Sequence, residues 1–171
     1  MEQMRTIKSD IPASMTLPEY RKWISRPKRH SALRRFHASK PRLSERDLTY
    51  LTQVDHVTHE ALAAFDAHGQ LVGVARYAAW PSECHEAAEV AVAVIDSFQR
   101  RGIGSALAAQ VVKRARANGF ARLSATTFLD NVPARALVAR LGFLRVGIDH
   151  GVGSYELELV ASDDETTRGG W

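Results

Sequence analysis

A short loop, Gln99-Arg100-Arg101-Gly102-Ile103-Gly104-Ser105, joins a predicted strand at Glu89–Ile95 to a predicted amphipathic helix that begins at Ile103. Its two glycines let the backbone turn tightly and come close to a ligand. The first N–H groups of a helix have no partner within the helix, and the helix dipole favours negative charge there. Arg100 and Arg101 add positive charge. The loop therefore predicts an anion site suited to a pyrophosphate.

Two well-known phosphate motifs do not account for this loop. A dinucleotide-binding loop needs G-x-G-x-x-G, but the third glycine position is Leu107. The P-loop pattern G-x-x-x-x-G-K-[ST] does not occur in the chain. A simple strand-to-helix turn, without a ligand, remains the alternative interpretation at this point.

The sequence around the loop alternates strand and helix patterns. Apolar residues recur at helical spacing behind the loop, and Asn118-Gly119 is a typical helix end. A second helix is predicted from Asp130-Asn131 to Gly142. The predicted strands are Ala61–Phe65, Leu71–Tyr77, Glu89–Ile95, Ala121–Phe128, Phe143–Gly147 and Ser154–Val160. The order β-β-β-α-β-α-β-β predicts an α/β fold, a mixed sheet with helices on its faces.

Composition limits the class of protein. With 171 residues the chain has room for about one domain. It has no apolar run long enough to cross a membrane, no apolar run typical of a signal peptide and a single cysteine, so we expect a cytoplasmic protein without a membrane partner. The net charge is +4, and the basic excess lies within Arg21–Arg42. That segment is interpreted as solvated surface, as a docking site for acidic protein or phosphate, or, less favourably, as a nucleic-acid contact.

The loop resembles the acyl-CoA loop Q/R-x-x-G-x-G/A of the GCN5-related N-acetyltransferase (GNAT) superfamily. Gln99, Gly102 and Gly104 fill its fixed positions. That family also has an Asn at the start of the helix after the fifth strand, an Ala three residues later and a closing Gly-Phe, which Asn131, Ala134 and Gly142-Phe143 match. The resemblance implies a sheet of about six to seven strands, with a V-shaped splay between the fourth and fifth.

A narrower resemblance is to the acetyltransferase domain of bacterial protein lysine acetyltransferases. It rests on Arg35-Phe36, Leu43-Ser44, Leu51–His56 and Leu71–Tyr77. It implies transfer of an acetyl group from acetyl-CoA to a primary amine, most simply a protein lysine. A small-molecule amine acceptor and a non-catalytic CoA-sensing module are the alternatives. The corresponding domain organisation is a basic segment at 1–35, the GNAT domain at 36–160 and a polar tail at 161–171.

The resemblance also implies which residues bind acetyl-CoA. Backbone groups of Val92 and Val94 would pair with the pantetheine arm, and an N–H at Val94 or its neighbour would polarise the thioester carbonyl. The N–H groups from Arg101 to Ser105 would hold the pyrophosphate, and Asn131 would contact the arm. The full set assigned to acetyl-CoA is Val92, Ala93, Val94, Gln99, Arg100, Arg101, Gly102, Ile103, Gly104, Ser105, Asn131 and Ala134.

Glu89 is the predicted catalytic residue. A lysine amine is protonated at neutral pH, so attack requires a general base, and the resembling enzymes place a glutamate on the fourth strand. The alternation puts Glu89 with two alanines on one face, whereas Val90, Val92 and Val94 form the predicted core face. Glu86 is the alternative base. No general acid is assigned, because Val138 stands where many relatives have tyrosine.

No metal site is expected. His56 and His59 have helical ligand spacing, but no third ligand is positioned and a strand is predicted to begin at Glu60. Cys84-His85 is interpreted as incidental, and Trp80 as either an acceptor contact or a core anchor. Met4–Lys8 either supplies the first strand of the fold or the strand is missing. A missing first strand would open a sheet edge for a partner, including a second copy of the chain.

Overall fold

The computed structural model describes residues 6–8 (backbone only), 46, 51, 53–79 and 86–159. Its elements follow the predicted order of strands and helices. They are β1 (Thr6–Lys8), β2 (His59–Phe65), β3 (Leu71–Ala79), β4 (Ala87–Val94), a 3-10 turn (Asp96–Phe98), α1 (Ile103–Ala117), β5 (Arg122–Phe128), α2 (Val132–Arg140), β6 (Leu144–Asp149) and β7 (Val152–Glu158). The basic stretch Arg21–Arg42, Trp80, Cys84-His85 and the polar tail lie outside the described residues.

The strands form one mixed sheet of seven strands in the order β1-β2-β3-β4-β5-β7-β6. The β4–β5 pair is parallel and the other pairs are antiparallel. The first strand is present, since Thr6 lies opposite Phe65 and Lys8 opposite Ala63. The edge that a missing first strand would leave on β2 is therefore covered by residues of the N-terminal segment.

The parallel pair β4–β5 is short. It consists of three opposed positions, of which Glu89↔Ser124 is the last. Beyond that position β4 continues beside β3 as far as Val94, and β5 continues beside β7 as far as Phe128. The two halves of the sheet thus separate after Glu89. The predicted V-shaped splay between the fourth and fifth strands is confirmed.

Helix α1 covers one face of β2, β3 and β4. Its apolar stripe is buried, as the helical spacing predicts, and apolar burial there is a main source of stability. The helix lies very close to β3 at Gly73, where a Cβ would come within 3.0 Å of Leu107 Cδ1. Glycine at this position allows the backbone of the strand to approach the helix.

Helix α2 returns along the sheet from the end of β5. Asn131 caps it, because its side-chain oxygen accepts a hydrogen bond from the Ala134 N–H at 3.2 Å. Gly142, with a φ of 87°, ends the helix in the left-handed region. The closing strands have different bounds from those predicted: β6 extends to Asp149 and β7 begins at Val152. All six β6 residues are exposed, so no alternation of buried side chains marks its end.

Within the described residues, no helix is long and apolar enough to cross a membrane. That part of the chain also holds no group of three or more His, Cys, Asp or Glu side chains that could bind a metal ion. His56 instead pairs through Nδ1 with Oε1 of the buried Glu60 at 2.9 Å. His59 begins β2 rather than a helical turn, so the predicted strand there is confirmed.

Candidate active site

A cleft of about 450 Å³ lies between the splayed strands and the two helices. Its walls are the second half of β4, the start of α1, residues 125–127 of β5 and one side of α2. Its lining is mainly apolar, and few polar side chains reach it. A cleft of this kind, apolar with a few placed polar groups, is typical of a ligand site.

The loop before α1 closes one end of the cleft. Gly102 is the N-cap residue, with a φ of 82°, and no described side chain caps the helix. The first helical hydrogen bond runs from the Ala106 N–H to the Gly102 carbonyl, at 2.9 Å. The N–H groups of residues 103–105 therefore precede the helical ladder, and Gly104 and Ser105 line the cleft. This end of the cleft favours an anion.

The two arginines of the loop take different positions. Arg100 adopts a left-handed φ of 59° and lines the cleft. The guanidinium of Arg101 lies over the ring of Phe98, 4.9 Å from its centre. Arg100 is thus a cleft residue, whereas Arg101 makes a cation–π contact with Phe98.

Gln99 holds the loop in place. Its Nε2 donates to the Val94 carbonyl at 3.0 Å and to Asp96 Oδ1 at 2.9 Å. The side chain therefore ties the end of β4 to the turn that follows, although Gln99 also lines the cleft. This contact gives the Gln of the loop motif a structural task in addition to the ligand contact predicted for it.

The backbone of β4 presents polar groups towards the splay. Ile95 N–H donates to the Val72 carbonyl of β3 at 3.0 Å. Because successive residues of a strand direct their N–H and C=O groups to opposite sides, those of Val94 and Val92 point towards β5. They are the two residues assigned to the pantetheine arm. Ala93, between them, is buried and directs its amide towards β3.

The predicted core face of β4 is only partly a core. Val90, Val92 and Val94 are half-buried: they pack against the core cluster and also line the cleft. Full burial occurs instead at Ala88 and Ala93 of β4, and at Ile103 at the start of α1. The reason is the splay, which leaves the valines without a neighbouring strand on one side.

Glu89 is exposed and lies at the mouth of the cleft. Its direct neighbours across the sheet are Ala78 of β3 and Ser124 of β5, so it belongs to the face opposite α1. Glu86 is also exposed but lies in a turn before β4. Its backbone carbonyl accepts a hydrogen bond from the Arg122 N–H at 3.0 Å. Of the two candidate bases, the structure places Glu89 at the cleft.

Helix α2 supplies the far wall. Ala134 and Val138 line the cleft, whereas Asn131 serves as the helix cap. Sequence reasoning missed three polar residues of this region, Thr126 and Thr127 of β5 and Arg140 of α2. Thr127 could have been found from the sequence, because it is a residue with a hydroxyl at a strand position on the buried face. Arg140 carried no signal beyond the usual preference for a cation near a helix end.

The residues that line this cleft fit an acyl-CoA. A Cβ added at Gly104 would lie 3.6 Å from Val94 Cγ2 and 4.0 Å from Leu137 Cδ2, so the loop lies close to both walls. Glycine there keeps the passage open between the phosphate end and the splay. Arg100 and the helix N-terminus suit the phosphates. The apolar passage, which is bordered by backbone N–H and C=O groups of β4, suits an arm that contains amides.

Comparison with known proteins agrees with this geometry. Acetyltransferase Pat of Mycolicibacterium smegmatis is 35% identical over 119 residues, which are 68% of this chain and 35% of that protein. The chain thus spans about a third of the length of this curated relative. The crystal structure of the GNAT domain of S. lividans PAT superposes with a TM-score of 0.75 at 27% identity, covering 90% of this chain and 89% of that one.

A second solved structure shows the same fold at lower identity. It is that of yncA from Salmonella typhimurium with its cofactor acetyl-CoA, with a TM-score of 0.68 at 20% identity, covering 90% of this chain and 93% of that one. The Acetyltransferase (GNAT) family model matches residues 17–143, which include α1, the loop and α2. The chain therefore belongs to the Acetyltransferase (GNAT) family.

Proposed function

We propose that this chain transfers the acetyl group of acetyl-CoA to the side-chain amine of a protein lysine, with Glu89 as general base. The observation that carries the proposal is the position of Glu89. It is the last residue of β4 that pairs with β5, and its exposed side chain lies at the mouth of the cleft. An amine that reaches the splay from the face of Glu89 meets a carboxylate there.

The chemistry requires such a group. A lysine amine carries a proton at neutral pH, and the lone pair that attacks is released when a base accepts that proton. Acetyl-CoA supplies the acetyl group as a thioester. The N–H of Val94 points towards the splay, and it or the N–H of its neighbour is the donor proposed to polarise the thioester carbonyl.

No side chain is proposed as general acid. Val138 lines the cleft at the position where many relatives have tyrosine, and valine has no proton to give. A thiol has an ordinary pKa near 8.5, so a thiolate is a tolerable leaving group near neutral pH. The departing sulfur therefore needs no side-chain acid in this proposal.

Two likenesses support a protein lysine as the acceptor. The sequence resembles the acetyltransferase domain of bacterial protein lysine acetyltransferases, and it matches Acetyltransferase Pat across two thirds of this chain. The second relationship covers about a third of that relative, so the acceptor is proposed for this domain and not transferred from the whole relative. The acceptor class is the part of the proposal that a direct assay has to decide.

The test is acetyl-CoA turnover against a panel of lysine-containing proteins and small amines. Protein acetylation at a rate well above that of small amines supports the proposal. A preference for small amines overturns the acceptor class, and acetyl-CoA binding without turnover on any amine overturns catalysis. Glu89→Gln is expected to lower the rate about a hundredfold or more. Glu86→Gln is the matched control and is expected to leave the rate unchanged.

A further inference from the structure

Thr127 carries a hydroxyl for which the fold provides no partner. The residue lines the cleft and is 8% exposed. Its Oγ1 is shielded from solvent and makes no hydrogen bond to any residue that the structure describes. A buried hydroxyl without a partner costs folding free energy, and most buried polar groups in proteins are paired. This atom therefore requires an explanation.

The position of Thr127 on the sheet places it inside the splay. Alternation along β5 puts Thr127 on the same face as the buried Leu123 and Ala125, towards the helices. It is the third residue beyond Ser124, about 10 Å along the strand from the last β4–β5 pair. Val92 is the third residue beyond Glu89 on β4, so Thr127 and Val92 stand at equal depth on opposite strands.

The described residues around Thr127 supply no partner for its hydroxyl. The wall formed by Val92, Val94 and Leu137 offers no side-chain hydrogen-bond partner. On β7 the residue directly opposite is Gly153, which has no side chain and is covered by the ring and hydroxyl of Tyr155. That hydroxyl makes no hydrogen bond with Oγ1 of Thr127. No described residue pairs with Oγ1, so a ligand in the cleft is its candidate partner. Because Oγ1 is shielded from solvent, the side chain would turn about χ1 to present the hydroxyl to that ligand.

We propose that Thr127 is a ligand-binding residue whose Oγ1 hydrogen-bonds an amide of the pantetheine arm of acetyl-CoA. The arm is a flexible chain with secondary amides, and a threonine hydroxyl can donate to an amide carbonyl or accept from an amide N–H. The strand amides of β4 would hold one edge of the arm, and Thr127 would hold the opposite edge from β5. This inference rests on acetyl-CoA binding in the cleft, and it is independent of the acceptor and of Glu89.

The test compares Thr127→Val, which keeps the shape but removes the hydroxyl, with Thr127→Ser, which keeps the hydroxyl. Calorimetric titration with CoA is expected to show a Kd about tenfold higher for Thr127→Val and within about twofold of wild type for Thr127→Ser. Titration with adenosine 3′,5′-bisphosphate, which lacks the arm, is expected to give the same Kd for all three proteins.

Thermal unfolding without ligand distinguishes a ligand-binding role from a structural one, because the two roles predict opposite changes in the melting temperature of Thr127→Val. Because Oγ1 is unpaired in the free protein, Thr127→Val is expected to unfold at the same temperature as wild type or higher. A lower melting temperature with unchanged CoA affinity overturns the proposal. So does an equal loss of affinity for the bisphosphate. Since no amine is present, failure of the proposed acceptor or base leaves these measurements unaffected.

Discussion

Glu89 of β4 and Ser124 of β5 form the last opposed pair before the two strands separate. On the other side, Glu89 pairs with Ala78 of β3. The backbone of Glu89 is thus fixed by ladders on both sides, although its side chain is exposed at the mouth of the cleft. As the proposed base, Glu89 therefore has a defined reach, because the strand beneath it cannot shift to compensate for a shorter side chain.

Shortening the side chain by one methylene therefore tests that reach. In Glu89→Asp the carboxylate retreats by about 1.5 Å, and misplacement on this scale can cost up to a hundredfold in rate. We expect kcat to fall at least tenfold while the Kd for CoA stays at the wild-type value. Steady-state kinetics and calorimetric titration measure the two quantities. A Glu89→Asp rate equal to that of Glu86→Asp would remove Glu89 from the mechanism.

The two loop arginines are expected to contribute unequally to CoA affinity. Arg100 lines the cleft, whereas Arg101 lies over the ring of Phe98. Arg100→Ala should raise the Kd for CoA about tenfold, as expected for loss of a charge-assisted hydrogen bond. Arg101→Ala, the matched control, should change it less than about threefold.

Salt provides a second measurement on the same pair of variants. Attraction between an exposed arginine and the phosphates weakens with ionic strength. The Kd of wild type and of Arg101→Ala should consequently rise more steeply with added salt than that of Arg100→Ala. Equal salt dependence in all three proteins would show that the Arg100 side chain does not act on the phosphates.

The two motif glycines are expected to respond differently to alanine. Gly102 has a φ of 82°, so Gly102→Ala places an L-residue in the left-handed region at a cost of about 1–2 kcal/mol in the free energy of unfolding. At Gly104 a Cβ meets Val94 at an ordinary contact distance of 3.6 Å within a helix. Gly104→Ala should therefore leave the free energy of unfolding unchanged or raise it by less than about 1 kcal/mol.

Urea unfolding of the two glycine variants measures this difference. The contrast does not depend on ligand binding, since it concerns backbone conformation in the free protein. If Gly102→Ala proved as stable as wild type, the left-handed N-cap would be the wrong conformation for this loop. The family motif permits alanine at the second glycine position and not at the first, which agrees with the expected order.

Much of the fold was predictable from the sequence because its signals are local. The stripe that begins at Ile103 has helical period, and the loop before it needs glycines for conformational reasons. The splay was predicted by family resemblance alone. Nothing in the residues of β4 and β5 shows that their pairing ends at Glu89↔Ser124, because strand pairing depends on long-range register.

The site was less predictable because side-chain direction decides it. Arg100 and Arg101 are adjacent and chemically identical, yet Arg100, with its left-handed φ, lines the cleft, whereas Arg101 lies over Phe98. The unpaired hydroxyl of Thr127 could not be anticipated either. Whether a buried polar atom has a partner depends on all the surrounding groups, and those become known only with the tertiary structure.

His59 should make the folded protein sensitive to acid. Burial lowers its pKa to about 4, and the nearby Arg76 adds to this effect, while Asp55 opposes it. The folded state then binds fewer protons than the unfolded state, whose histidine has a pKa near 6.5. Stability is fully present above about pH 6.5 and decreases as the pH falls towards 4, by up to about 3 kcal/mol.

Urea unfolding between pH 7 and pH 4.5 tests this dependence on wild type, His59→Leu and His68→Gln. Asp55 does not interfere in this range. Burial raises its pKa, but hydrogen bonds from Thr58 and from the backbone outweigh that and lower it to about 2, so its contribution is lost only below about pH 3.8. His59→Leu should flatten the pH dependence, whereas the exposed control His68→Gln should keep it. An unchanged slope in His59→Leu would assign the acid sensitivity to another group.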